Sequence, residues 1–219
     1  PRRRRRRIPV LRYEDGWACV NKPAGLTVHR GRGTPRGRPV LRGLLRRQLS
    51  RKIFPVHRLD HRTSGAILIA FDAGTTARLQ ASLTSGDAVK GYLALVRGDV
   101  TETTGLMAGM GPGDRVTVDR PLRGTDGIVR EAKTDFVLLS SGTTVGEDGD
   151  GDGGDGRVPG ACSVLLCRPR TGRTHQIRRH ARSPLGHPIL GDTQHGDSHA
   201  NRWWRTERGL DRLGLHCLS

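Results

Sequence analysis

The residues best suited to chemistry lie in one polar segment, His57-Arg58-Leu59-Asp60-His61-Arg62-Thr63-Ser64-Gly65, directly before the apolar run 66–71. An ionised aspartate is available as a nucleophile or as a base, and Asp60 stands between two arginines. Loops held by a rigid strand are common places for catalytic groups. Taken alone, however, an aspartate in a basic protein more often caps a turn or pairs with an arginine.

The flanking sequence predicts the elements that must hold this segment. The apolar run predicts a buried strand, and Asp72 can cap a helix over 73–83. Leucines at helical spacing after Pro39 predict an amphipathic helix. Further strands are predicted at 10–13, 17–20, 88–96, 131–139 and 162–167, with a short helix near Thr174. This pattern predicts an α+β domain built on a mixed, largely antiparallel sheet.

The charge of the chain indicates a polyanionic partner. Its 219 residues contain 38 Lys+Arg against 21 Asp+Glu, a formal charge of +17. Charge alone does not separate RNA, DNA and an anionic membrane surface. Residues 1–8 are predicted to be a disordered basic arm, although the abrupt start is equally consistent with the cut edge of a longer chain. Residues 9–219 would then form the main domain.

Several other classes of protein are disfavoured. The chain has neither an apolar stretch of membrane-spanning length nor a signal-peptide core, so we expect a soluble protein. Its four cysteines form no C-x-x-C pair, which argues against a zinc ribbon and favours a reducing compartment. The Gly/Asp-rich stretch 140–160 offers nothing to bury, so it is predicted to be an inserted surface loop. It lacks the Glu at the twelfth position and the flanking helices of an EF-hand, which disfavours calcium binding. His195 and His199 are separated by Gly196 and Asp197, which favours a loop over a metal site.

Four motifs, in order along the chain, resemble those of the RluA-type pseudouridine synthases. The segment 57–65 matches H-R-L-D-x-x-T-S-G at every fixed position. Residues 21–29 resemble N-K-P-x-G-x-x-V-H, and 90–96 resemble K-x-Y-x-A-x-V. Residues 171–178 resemble T-G-R-x-H-Q-I-R. The resemblance extends from about residue 10 to the C-terminus, interrupted by the acidic loop.

This resemblance implies isomerisation of uridine to pseudouridine in RNA without a metal or an organic cofactor. By position, Asp60 is the nucleophile, Arg178 pairs with it, and Tyr92 packs on the uracil. Arg58 occupies the space left when the target nucleotide is flipped out of its helix. Leu215 lines the uracil pocket. The resemblance assigns substrate contact to these residues: His57, Arg58, Leu59, Thr63, Arg173, His175, Gln176 and Leu215.

The sequence around His195 and Asn201 is similar to the subgroup that modifies tRNA at position sixty-five, at the end of the T stem. We therefore expect a monomeric tRNA-modifying isomerase that does not bind membranes. Two alternatives remain: the same activity on large-subunit ribosomal RNA, or a catalytically silent RNA-binding protein on this fold. We expect a cytoplasmic protein, with nucleus and organelle left open by the arginine arm.

Overall fold

A computed structural model describes residues 7–31, 35, 37–86, 88–102, 104–142 and 161–189. The chain divides into two compact units, unit 1 (1–88) and unit 2 (89–219), where the sequence had suggested one main domain. Each unit is described by itself. Within the described residues, no helix has the length and apolarity needed to cross a membrane.

Unit 1 is a four-stranded antiparallel sheet with two helices. Its strands are β1 (Val10–Tyr13), β2 (Trp17–Lys22), β3 (Phe54–Pro55) and β4 (Gly65–Ala70), in the order β1-β2-β4-β3, and its helices are α1 (Leu41–Leu49) and α2 (Ala73–Thr84). Side chains on β2 alternate between half-buried and buried, as expected when one face of a sheet is covered. Ala18, Val20 and Lys22 therefore share the buried face.

Local sequence explains how the two helices of unit 1 begin and pack. The Asp72 carboxylate accepts a 2.7 Å hydrogen bond from the backbone N–H of Thr75, which confirms it as the cap of α2. Leu41 and Leu45, four residues apart, are fully buried on one side of α1.

Ile8, assigned to the basic arm from sequence, is instead buried and exchanges two 2.8 Å hydrogen bonds with the Gln48 side chain. The folded body thus includes Ile8.

Unit 2 is a second four-stranded antiparallel sheet, with a two-stranded ribbon and one helix. The sheet contains β5 (Tyr92–Arg97), β6 (Arg115–Asp119), β9 (Lys133–Gly142) and β10 (Cys162–Pro169), in the order β5-β10-β9-β6. The ribbon pairs β7 (Leu122–Arg123) with β8 (Val129–Arg130), and the helix is α3 (Gln176–Arg182). Val96, Phe136 and Leu165 are fully buried in the core. The ladder between β9 and β10 ends at the Gly142–Cys162 pair.

The α+β class and the antiparallel strand pairing agree with the sequence. The strand predicted over 88–96 begins only at Tyr92, after Gly91. The helix expected near Thr174 begins at Gln176, because His175 has a left-handed backbone with φ 53°. The expected insertion falls mostly in 143–160, outside the described residues. Cys19, Cys162 and Cys167 carry free thiols, and burial raises the pKa of Cys167 to about 12.

Candidate active site

The segment that carries Asp60 connects β3 to β4 and is fixed at both ends. At its start, the backbone N–H of Val56 donates to the Leu68 carbonyl oxygen at 3.0 Å. The His57 ring accepts a 3.1 Å hydrogen bond at Nε2 from the backbone N–H of Leu68. In its middle, the Thr63 N–H donates to the carbonyl oxygen of Asp60 at 3.1 Å, which closes a turn around the aspartate. Asp60 itself is half-buried.

The end of this segment depends on a glycine. Gly65, the first residue of β4, has φ +121°, a backbone conformation that other residues rarely adopt. Gly65 pairs with Lys22, the last residue of β2. The turn that carries Asp60 therefore joins the sheet beside the end of the neighbouring strand.

Lys22 is one of the largest fully buried side chains of the described residues. Its ammonium group donates to the carbonyl oxygens of Pro23 at 3.1 Å and Leu26 at 2.7 Å, and so closes the turn that follows β2. Burial lowers the pKa of Lys22 to about 8, against the opposing effect of the Asp60 charge. A buried ammonium thus lies within the electrostatic range of the candidate nucleophile.

The turn after β2 also contacts the Asp60 segment directly. The N–H of Gly25 donates to the carbonyl oxygen of His61 at 2.8 Å, and Gly25 has φ +77°. Lys22 therefore stabilises the turn after β2, and this turn holds His61, the residue after Asp60. The N-K-P-x-G motif and the H-R-L-D motif form one hydrogen-bonded assembly in unit 1.

The other residues predicted to bind substrate in unit 1 differ in exposure. Leu59 is buried and packs inward, His57 and Thr63 are half-buried, and Arg58 is exposed. An exposed guanidinium two residues before the aspartate is accessible to RNA. The buried Leu59 instead anchors the segment.

In unit 2, Tyr92 begins β5 and pairs with Cys167 of β10. The ring is half-buried and packs against the core of the unit. Because the tyrosine lies at a strand end on a packed sheet, its position is set by the sheet rather than by a loop.

The last motif forms the loop before α3 and the start of that helix. Arg173 is exposed and donates from Nε to the Glu131 carbonyl oxygen at 2.8 Å. His175 is the residue with the left-handed backbone, and Arg178 is half-buried on α3. Asp60 thus belongs to unit 1, whereas Tyr92 and Arg178 belong to unit 2.

Gln176, predicted to contact substrate, is only 4% exposed. Its Oε1 accepts from the Thr171 hydroxyl at 2.7 Å and from the Arg173 N–H at 3.0 Å. Its Nε2 donates to the Lys133 carbonyl oxygen at 2.8 Å and to the Thr134 hydroxyl at 2.9 Å. Protein groups therefore occupy all four hydrogen-bonding positions of this amide.

Two buried residues contribute to the site without having been assigned a role from sequence, Lys22 and His180. Lys22 continues the Ala18, Val20 alternation, so period-two spacing could have placed it on the buried face. His180 lies four residues after Gln176, which puts both on one face of α3. Leu215, His195 and His199 lie outside the described residues, and the described part of the chain holds no cluster of three or more metal-ligating side chains.

Comparison with solved structures identifies the class of this fold. The solved structure of human RNA Pseudouridylate Synthase Domain Containing 1 superimposes with a TM-score of 0.66 at 24% identity, covering 90% of this chain and 73% of that one. Human RNA Pseudouridylate Synthase Domain Containing 4 gives 0.60 at 22% identity, covering 94% and 76%. The fold is that of a pseudouridylate synthase domain.

Sequence comparison identifies the family. The RNA pseudouridylate synthase family model matches residues 16–183, so the chain belongs to that family and is an isomerase that acts on RNA. The tRNA pseudouridine synthase C of Pasteurella multocida is 35% identical, covering 93% of this chain and 81% of that protein. The protein of the same name from Haemophilus ducreyi is 30% identical, covering 95% and 82%.

Proposed function

We propose that this chain converts a uridine of tRNA to pseudouridine, with Asp60 as the nucleophile. The observation that carries this proposal is the Asp60 segment itself. Its carboxylate is half-buried on a turn pinned to β4 and to the turn after β2, beside a fully buried ammonium. A nucleophile held this way loses little conformational freedom when it reacts.

The proposed reaction needs no cofactor because its atoms balance within the nucleotide. The carboxylate attacks either the ribose anomeric carbon or the uracil ring, and the N1–C1′ bond breaks. The released base rotates and forms a C5–C1′ bond, and the bond between the nucleotide and the Asp60 carboxylate breaks, which frees the carboxylate. The C5 proton then leaves to solvent and N1 takes up a proton. Covalent catalysis divides one difficult step into two easier ones.

Tyr92 and Arg178 enter this proposal through their motifs. Arg178 pairs with the aspartate and orients its carboxylate, as bidentate guanidinium pairs do. Tyr92 packs on the uracil and assists removal of the C5 proton. Both side chains emerge from regular elements of unit 2, which supports precise positioning.

The uridine must leave its helix to reach a carboxylate, since its reacting atoms are otherwise stacked. Arg58 is exposed and lies two residues before Asp60, so we propose that it fills the space left by the flipped nucleotide. Arg173, also exposed, contributes a phosphate contact.

The choice of tRNA rests on the relatives named tRNA pseudouridine synthase C. The resemblance of the sequence around His195 and Asn201 to the subgroup that modifies position sixty-five leads us to propose that uridine as the target. Large-subunit ribosomal RNA is the alternative substrate, and the experiment below separates the two.

Release of tritium from transcripts labelled at uracil C5 tests the function. We expect release from tRNA, little release from ribosomal RNA fragments, and loss of label release when position sixty-five is changed to cytidine. Release from ribosomal RNA alone would overturn the substrate assignment. Binding to all of these RNAs without release would identify a silent RNA-binding protein.

Asp60→Asn tests the nucleophile in the same assay. We expect turnover to fall by at least about three orders of magnitude while the Kd for tRNA stays within about threefold of wild type. Asp15→Asn is the matched control, because Asp15 is an exposed aspartate of unit 1 in the turn between β1 and β2. Full activity of Asp60→Asn would refute the mechanism.

A further inference from the structure

A chain of hydrogen bonds crosses the interior of unit 2 behind α3. Gln176 is 4% exposed, and Thr134 and His180 are fully buried. The Thr134 hydroxyl lies 2.9 Å from Gln176 Nε2 and 3.0 Å from His180 Nδ1. His180 Nε2 lies 2.9 Å from the Arg120 carbonyl oxygen. This polar chain, Gln176-Thr134-His180-Arg120, links α3 to β9 and to the segment after β6.

The chemistry of the partners assigns the proton in each bond. The Arg120 carbonyl oxygen only accepts, so His180 carries its proton on Nε2. In the neutral ring Nδ1 then accepts, and the Thr134 hydroxyl donates to it. One of the two lone pairs of that hydroxyl accepts a hydrogen bond from Gln176 Nε2. The polar chain therefore runs in one direction, with one tautomer of His180.

The orientation of the Gln176 amide is fixed as firmly. Oε1 faces the Arg173 N–H, which only donates, and Nε2 faces the Lys133 carbonyl oxygen, which only accepts. Exchanging the amide oxygen and nitrogen would break both bonds. Only one arrangement of donors and acceptors thus satisfies every buried polar atom of the polar chain.

The helix held by this polar chain, α3, has little stability of its own. α3 has seven residues, well below the length at which isolated helices persist. It begins after His175, whose left-handed backbone carries no side-chain cap. Gln176 Oε1 accepts a hydrogen bond from the Arg173 N–H, so this side chain connects the start of the helix to the preceding loop.

We propose that Thr134, Gln176 and His180 are positioning residues that set the rotation of α3 and thereby the direction of Arg178. Gln176 and His180 occupy one face of the helix, and Arg178 lies two residues from each. Apolar packing tolerates a small rotation of a helix, whereas a directional chain of hydrogen bonds does not. The inference rests on the proposed role of Arg178 and assigns Gln176 to positioning instead of substrate contact.

Thr134→Val tests the proposal, because it removes the central hydroxyl and keeps the shape of the side chain. We expect kcat for tRNA to fall about tenfold to hundredfold, with KM within about threefold of wild type, since small misplacements of catalytic groups affect chemistry most. Thr134→Ser restores the hydroxyl, and we expect kcat within about threefold of wild type.

Ser163→Ala is the matched control for lost stability. Ser163 is also fully buried in the sheet of unit 2, where its hydroxyl accepts from the Val100 N–H and donates to the Gly98 carbonyl oxygen. We expect Ser163→Ala to lower Tm by about as much as Thr134→Val does and to leave kcat unchanged. An unchanged kcat in Thr134→Val, or an equal loss in Ser163→Ala, would overturn the proposal.

Gln176→Met repeats the test if Thr134→Val does not fold, because it removes the first link and leaves the threonine in place. We expect the same loss of kcat as for Thr134→Val, again with KM within about threefold of wild type. A rise in KM alone would return Gln176 to substrate contact and refute positioning. Wild-type turnover, measured first, separates failure of this inference from failure of the proposed function.

Discussion

Unit 1 and unit 2 each support a motif loop with buried polar side chains, but the two supports differ in charge. Behind Asp60 lies the Lys22 ammonium, bonded to two backbone carbonyl oxygens. Behind Arg178 lies a neutral chain of amide, hydroxyl and imidazole groups. A buried charge exerts a field on its neighbours, whereas a neutral chain acts through geometry alone. One support can tune reactivity, and the other can only orient.

The difference gives the two units opposite responses to pH. Burial lowers the pKa of both Lys22 and His180, but Lys22 is charged at neutral pH and His180 is neutral. Raising the pH therefore changes the support in unit 1, and lowering it changes the support in unit 2. Three substitutions test this comparison.

Lys22→Met should have the largest effect, because it removes the ammonium and releases the turn that holds His61. We expect kcat to fall about tenfold to hundredfold at pH 7, with a smaller change in the Kd for tRNA. In wild type, kcat should decline as the pH rises through about 8, where Lys22 loses its proton. This decline should be absent in Lys22→Met.

Stability distinguishes this effect from alkaline unfolding. The unfolded chain retains the lysine proton up to about pH 10.5 while the folded protein loses it near 8, so the Lys22 contribution to the free energy of unfolding rises over that range. Lys52→Met, at an exposed lysine of unit 1, should keep the wild-type kcat and pH profile. An alkaline decline that persists in Lys22→Met would assign it to another group.

His180→Gln should have an intermediate effect, on stability. The Thr134 hydroxyl loses its acceptor, so we expect the free energy of unfolding at pH 7.5 to fall by about 1–3 kcal/mol in urea titrations. Burial, with the positive charges of Arg179 and Arg120, lowers the pKa of His180 against the opposing Arg120 carbonyl oxygen and Asp119 carboxylate.

The sign of the pH effect follows from that direction. Below pH 6.5 the unfolded chain binds a proton that folded His180 resists, so wild-type stability should fall as the pH is lowered. His180→Gln should show a shallower fall between pH 7.5 and pH 5. Ser163→Ala removes no titratable group and should keep the wild-type slope. Equal slopes in wild type and His180→Gln would contradict the assignment.

Gly25→Ala should have the smallest effect and extends the comparison to the backbone. At φ +77° an alanine costs about 1–2 kcal/mol, although no atom lies within 4 Å of the added Cβ. The strain weakens the hydrogen bond to His61, so we expect kcat to fall about threefold. Gly37→Ala has similar geometry, φ +84° and open space, and should lose stability without losing kcat. Equal kcat losses in Gly25→Ala and Gly37→Ala would show that the turn after β2 has no specific role in catalysis.

Local patterns predicted much of the fold. The strands β1 and β2 and the Asp72 cap of α2 follow from short-range rules, and the structure confirms them. The strand β6 and the two-residue strands β3, β7 and β8 were not predicted. A pair of residues has no periodicity to detect. The start of α3 was displaced because His175 has a left-handed backbone, which a histidine at that position does not signal in the sequence.

The candidate site divides in the same way. The motifs place Asp60, Tyr92 and Arg178 in the family pattern, and their roles stay predictions. Residue spacing could have placed Lys22 and His180 on buried faces. The hydrogen-bond partners of His180 could not be predicted, because Thr134 and Arg120 are distant from it in sequence. Gln176 shows the limit most clearly, since a motif position alone does not tell whether an amide faces RNA or the protein interior.

The ladder between β9 and β10 has a consequence for engineering. Because it ends at the Gly142–Cys162 pair, the intervening chain leaves and re-enters the sheet at adjacent positions. Doubling the length of a flexible closed loop costs only about 0.6 kcal/mol in closure entropy. This junction is therefore a natural site for inserting a fluorescent reporter or an affinity tag, or for exchanging segments between relatives, without changing the strands that carry the core.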